Sequence, residues 1–398
     1  MKNKYIFIRK NIVWFLLVLF SWLPVLAYTA GNWKGVSFGL YGTVFFVAIF
    51  FLLMICKKHT VSRKTLFFGC MIFVVIMFAF FKQTYMLEGG MRDYIYLAIM
   101  TLMFGLSFNK QLTNEQIHFL YAIPCYITYA MSFFSFFPSS YDLGSYGNAL
   151  YLHFQNPNIL SFALLNIIIY QILGYIDERK KRYFVAVILA CIMLLLTHSR
   201  SSLVAVLFLL VVYLNRHRWK KVSPLVAIGV SIIPLIIACF FTINNSVESF
   251  KMFGKSGLSG REDIWRYIIE TLTSNTKFAL FGRGIYMNDC FSDVYENSHN
   301  AYLQFICDFG IPLFLIILIC IIFLNVHAGK SIVDKYTYVC YFAACSILIN
   351  CSLETHIADA IIGLTFMWIV LYWINISKKR MKEYDNNCKK LDNKRIVK

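Results

Sequence analysis

Apolar runs of 16 to 23 residues recur from one end of this chain to the other. As helices they are long enough to cross a bilayer core of ~30 Å. Inside hydrocarbon every backbone amide must find its partner within the protein, so only helices or closed barrels qualify. The runs are continuous, not alternating, which excludes a β-barrel. Composition agrees: 15% of the residues are charged, against ~25% in a soluble globular chain. The expected fold is all-α, a polytopic membrane protein of about twelve spans. They fall near 12–30, 36–56, 66–81, 94–108, 117–137, 159–176, 183–198, 201–214, 222–241, 301–323, 336–355 and 361–376.

The net charge of +18 would suit a nucleic-acid partner, but its distribution argues otherwise. With the N-terminus inside, the inner segments collect 28 Lys and Arg and the outer ones 10. That asymmetry places both termini in the cytoplasm, including a basic tail at 377–398. The basic balance is then topology, with attraction to anionic membrane lipid and none expected to nucleic acid. Of the 12 cysteines only Cys290 falls in a large outer segment, and no CxxC or Cys/His ligand spacing occurs. Disulfides and a zinc site are not expected. The first apolar block lacks a small-residue cleavage site and reads as a retained span. Gly254-Lys255-Ser256 and Gly329-Lys330-Ser331 lack the upstream glycine of a phosphate loop, because Ser249 and Leu324 stand there.

Residues 242–300 form the one long polar interval, a 59-residue outer loop holding 13 of the charged residues. Loops of this length within a compact domain are usually functional. Ser259-Gly260-Arg261-Glu262 has capping-box spacing. Ile264, Trp265, Ile268, Ile269 and Leu272 then share one helix face, with Arg266 and Glu270 spaced to pair at i,i+4. Such a helix would lie on the membrane surface or roof the bundle. Arg261 falls in its first turn, where the dipole disfavours a cation. A bound phosphate would reverse that penalty, and so would a salt bridge to Glu262 or Asp263.

Two other stretches supply candidates on the same side. Basic clusters at 179–182 and 216–221 must both be inside, so the 32 residues at 183–214 form a hairpin turning at Thr197-His198-Ser199-Arg200. Its arms are shorter than the ~20 residues needed to span, so Arg200 should sit recessed, facing an anion or snorkelling to the surface. At 298–300, Asn297 or Ser298 can cap the helix starting near Ala301. A helix N-terminus disfavours an imidazolium, so His299 there suits proton acceptance, unless it is only an interfacial histidine. Asp308 lies deeper in the same helix. Glu354, His356 and Asp359 cluster at the last short outer loop as weaker candidates. Asn156-Pro157-Asn158 reads equally as a turn into a helix or as a substrate contact.

Thr197-His198-Ser199-Arg200-Ser201-Ser202 resembles the Ser-Arg turn of bacterial O-antigen polymerases and O-antigen ligases. Gly260-Arg261 with Trp265, Gly282-x-Gly284, His299-Asn300-x-Tyr302-Leu303 and Phe309-Gly310-Ile311 resemble that family's large periplasmic loop and following helix, and Phe154 to Asn158 also fits. The likeness covers about 138–325, with Ser201 where the family often has glycine. It implies a GT-C-like glycosyltransferase of the bacterial inner membrane, independent of metal and other cofactors. Its donor and acceptor would be undecaprenyl-diphosphate-linked glycans, with a chain-length regulator protein as a further partner. Carried over, Arg200 and Arg261 would hold the diphosphate and His299 would deprotonate the acceptor. Asn300, Arg283, Asn156, Asn158 and Tyr302 would bind substrate. The Ser-Gly-Arg-x-x-x-Trp pattern favours a polymerase of repeat units over a ligase to lipid A-core. A transporter or flippase would instead show internal repeats and helices interrupted near the midplane, and no repeat is visible.

Overall fold

The computed structural model describes residues 2–32, scattered positions between 34 and 49, and 113–142, 148–154, 156–218, 220–243, 251–252, 255–256, 260–282 and 298–355. The expected spans at 66–81, 94–108 and 361–376, most of 36–56 and the basic tail lie outside them, as does Arg283.

The described residues are mostly helical. The helices are α1 (Lys2–Thr29), α2 (Asn114–Phe134), α3 (Pro157–Glu178), α4 (Lys181–Leu196), α5 (Arg200–Leu214), α6 (Pro224–Ile243), α7 (Arg261–Ser274), α8 (Thr276–Phe281), α9 (Ala301–Lys330) and α10 (Lys335–Cys351). Two-residue ladders join β1 (Tyr141–Asp142) to β2 (Ala149–Leu150) and β3 (Lys251–Met252) to β4 (Lys255–Ser256), both antiparallel. Among the described residues, five helical stretches are long and apolar enough to cross a membrane: Asn11–Thr29, Asn114–Phe134, Pro157–Glu178, Pro224–Thr242 and Phe309–Lys330. This is a multi-pass membrane protein.

Local chemistry sets the helix starts. Thr113 and Gln116 form a capping box on α2, and Asp334 and Thr337 form one on α10. Asn156 caps α3, with Pro157 in the first helical position where its missing N–H does no harm. α3 is the central helix: it packs against α2, α4, α5 and α10, and its residues from Leu160 to Leu173 are all buried. An apolar helix buried on every side needs no amphipathic stripe, and its sequence has none.

Two features depart from the expected layout. The 301–330 helix is broken at Gly310, which takes φ 80° and ψ 165°. A side chain there would strike the carbonyl of Leu280 and the amide of Phe281 at the end of α8. Glycine therefore serves both the positive φ and the close approach. The break leaves Phe309–Lys330 as the stretch long and apolar enough to cross and sets 301–308 apart from it. The second departure is α7. Its cap is Gly260 at φ 80° with no side-chain cap bond, not the serine of a capping box. Arg266 pairs with Asp263 at 3.4 Å instead of with Glu270.

Candidate functional site

Arg200, Arg261 and His299 each stand at the start of a helix. The turn between α4 and α5 falls at Thr197–Ser199, as the charge pattern requires, and makes Arg200 the first residue of α5. The arms have 16 and 15 residues, about 24 and 22 Å at ~1.5 Å each, short of the ~30 Å of a bilayer core. His198 turns the corner with φ 55°. Arg261 is the first residue of α7, behind the left-handed Gly260. His299, itself left-handed at φ 48°, immediately precedes Asn300, the cap of α9. Left-handed backbone is uncommon for residues other than glycine, although histidine tolerates it better than most.

The three helix starts meet at Glu354, just beyond the end of α10. Its side chain is 3% exposed. Arg261 Nη2 donates to Glu354 Oε1 at 2.6 Å, and the Ser201 hydroxyl donates to the same oxygen at 3.3 Å. His299 Nδ1 lies 3.6 Å from Glu354 Oε2, with the ring 31% exposed. Arg200 is close enough for burial and the Arg261 guanidinium to weigh against its charge, while Glu354 supports it. The penalty foreseen for a cation at the start of α7 is thus offset from across the bundle, by Glu354 and not by Glu262 or Asp263. One carboxylate faces two guanidiniums and an imidazole at three helix N-termini. Helix amides and guanidiniums together suit an anion with several oxygens.

The surroundings hold these groups in place. Trp265 is fully buried and donates from Nε1 to the Ser298 carbonyl at 2.7 Å. With Ile264 and Ile268 also buried, α7 packs against α6 and α9. Pro234 interrupts the hydrogen-bond ladder of α6, and carbonyls near it take donors from the site. Asn300 Nδ2 donates to Pro234 O at 2.9 Å and to Ser352 O at 3.0 Å. Its Oδ1 accepts from the amides of Tyr302 and Leu303. The Tyr302 hydroxyl donates to Ser231 O at 2.6 Å.

The expected substrate contacts therefore divide. Asn300 and Tyr302 are fully buried, and their polar side-chain groups bond within the protein. Asn156 caps the amide of Asn158 at 2.8 Å, which favours the helix-start reading of that corner. Arg200, Arg261 and His299 are brought together. Glu354, ranked low from sequence, stands at the centre. His356 and Asp359, like Arg283, lie outside the described residues, as does the side chain of Asp308. Among the described residues no group of three His, Cys, Asp or Glu could hold a metal ion.

Residues 185–318 match the family described as O-antigen ligase. The resemblance read from the Arg200 turn and the Arg261 helix is borne out over that stretch, which contains Arg200, Arg261 and His299; Glu354 lies beyond it. The ComP-specific O-oligosaccharyltransferase of Acinetobacter baylyi is 24% identical over 334 residues, 75% of this chain. The chain spans 59% of that relative's length.

Proposed function

We propose, with the O-antigen ligase family match as premise, that this chain transfers glycan from a polyprenyl diphosphate carrier at the outer face of the bacterial inner membrane. The observation that carries the reading is the meeting of Arg200, Arg261 and His299, each at the start of a different helix, around buried Glu354. Arg200 and Arg261 hold the diphosphate of undecaprenyl-linked donor and stabilise the charge that develops as it leaves. Glu354 faces His299 Nδ1, which leaves Nε2 to take the proton of the acceptor hydroxyl. The acceptor oxygen then attacks the anomeric carbon, the bond to the diphosphate breaks, and the configuration inverts. The sugar–diphosphate bond supplies the driving force, and no metal takes part. Arg283 and the Asn156–Asn158 corner border the glycan in this reading. Residues 242–300 face outward, and both termini and the 377–398 tail face the cytoplasm.

The acceptor separates two versions. The Ser259-Gly260-Arg261-x-x-x-Trp265 pattern supports a polymerase that adds repeat units to another lipid-linked chain, for O-antigen or capsule, with a chain-length regulator as partner. The family description and the name of the relative favour transfer to a different acceptor, such as lipid A-core. Purified protein in detergent with synthetic lipid-linked repeat unit, with and without core lipid and EDTA, tests both. Chain growth from the repeat unit alone, unaffected by EDTA, is the expected result. Transfer only when core lipid is added would replace the polymerase with the ligase. No transfer, with movement of the same lipid across vesicles, would overturn the reading in favour of a transporter. Reporter fusions at Asn244 and Asn386 should report opposite sides; the same side would refute the proposed orientation.

A further inference from the structure

α5 is apolar along nearly its whole length: from Leu203 to Val212 it carries no polar side chain. The register of such a helix is held by its packing and by whatever buried hydrogen bonds it makes to its neighbours. Those bonds lie in the first turn. Ser201 donates to Glu354. Ser202, fully buried, sits in a chain of hydrogen bonds that crosses three helices. Asn350 Nδ2 of α10 lies 2.9 Å from Ser202 Oγ, and the hydroxyls of Ser202 and Ser161 of α3 are 2.8 Å apart. Ser161 donates to the carbonyl of Asn158 at 2.7 Å. Counting protons sets the direction. Ser161 gives its only hydroxyl proton to Asn158, so Ser202 must donate to Ser161 and Asn350 to Ser202. Ser161, Ser202 and Asn350 are all excluded from solvent, so each broken link strands a polar group.

The chain joins what the site needs held together. Asn350 is one helical turn before Glu354, Ser202 is two residues after Arg200, and Asn158 belongs to the Asn156–Asn158 corner. We propose that Ser202 is a positioning residue for the donor diphosphate, locking Arg200 in register with Glu354 through Asn350 and Ser161. This rests on the reading of the site as a lipid-diphosphate transferase. A slip of one residue along α5 would move Arg200 by ~1.5 Å, and misplacement of about 1 Å can lower a rate ~10²-fold.

The test measures affinity for undecaprenyl diphosphate in detergent micelles, transfer rate and thermal unfolding for Ser202→Ala alone and combined with Arg200→Ala or His299→Ala. Asn350→Ala serves as a milder second variant that leaves the Ser202–Ser161 bond in place. Ser202→Ala should weaken diphosphate binding roughly tenfold and lower transfer ~10–10²-fold. The binding loss should persist beside His299→Ala and vanish beside Arg200→Ala, because Ser202 acts through Arg200. Asn350→Ala should move both quantities in the same direction by less. Unchanged binding in Ser202→Ala, or an equal loss in the Arg200→Ala background, would overturn the proposal. If Ser202→Ala does not fold, unchanged binding and transfer in Asn350→Ala would overturn it. Wild-type protein that neither binds undecaprenyl diphosphate nor transfers glycan would overturn the underlying reading itself.

Discussion

The two ends of the bundle both gather cations and carboxylates, and they use them differently. At the far end of α3, Glu178 receives Lys180 Nζ at 2.7 Å and the Tyr183 hydroxyl at 3.0 Å, and lies 2.5 Å from His118 Nδ1. Arg182 stacks over the rings of Tyr126 and Tyr183. The Tyr121 hydroxyl donates to Asp177 at 3.2 Å and meets the Tyr336 hydroxyl at 2.8 Å. These groups answer one another and tie α2, α3, α4 and α10 together. At the Arg200 end one buried carboxylate, Glu354, is shared among two guanidiniums and an imidazole, where three helix N-termini meet. A polar cluster closed on itself is a staple. One with a surplus of guanidiniums over buried carboxylate, at helix N-termini, suits an anion.

The largest effects should come from breaking the surplus. Arg200→Ala and Arg261→Ala are each expected to abolish transfer, with lysine restoring it only in part, because an ammonium does not replace a bidentate fork. Arg261→Ala also leaves Glu354 buried without its closest partner, which should destabilise the protein by about 3–5 kcal/mol. Adding Glu354→Leu should bring the protein level back without the activity. Glycan transfer recovered in that double variant, read on gels, would make the pair a staple like its counterpart and end the distinction. His299→Ala comes next, with transfer down about 10²–10⁴-fold, donor binding little changed and lipid-linked repeat units accumulating. Chain growth at the wild-type rate would remove His299 from the mechanism.

The far end should behave in the opposite way. Glu178→Gln is expected to lower unfolding stability by about 1–3 kcal/mol while transfer per folded molecule stays unchanged. A tenfold drop in rate would show that the two ends are coupled. The smallest change is Trp265→Phe, which keeps an aromatic ring in the roof but removes the bond to Ser298 and leaves a small cavity, a loss of about 1–2 kcal/mol in thermal unfolding.

Local signals explain what could be read in advance. The short arms at 183–214 forced a recessed turn, and the turn falls where the basic clusters require it. The apolar face of α7 follows from spacing within a dozen residues, whereas the cap of α9 is Asn300 and not the Asn297 or Ser298 that the spacing offered. The break at Gly310 had a local hint in Gly310 and Pro312, but such a pair does not say that α8 will lie against that glycine. Asn300 had the right residue type for a ligand contact, and nothing nearby in sequence showed that Pro234 and Ser352 would occupy its amide.

From the sequence alone come the membrane class, the turn at Thr197–Ser199 and the three side chains, Arg200, Arg261 and His299, that the fold brings together. These depend on hydropathy, capping and charge within single segments, where neighbours in the chain are neighbours in space. Tertiary structure decided the centre of the site. Glu354 stands 93 residues from Arg261 and 153 from Ser201. A buried carboxylate is costly until its cations are in place, and only the packing of α5, α7, α9 and α10 puts them there.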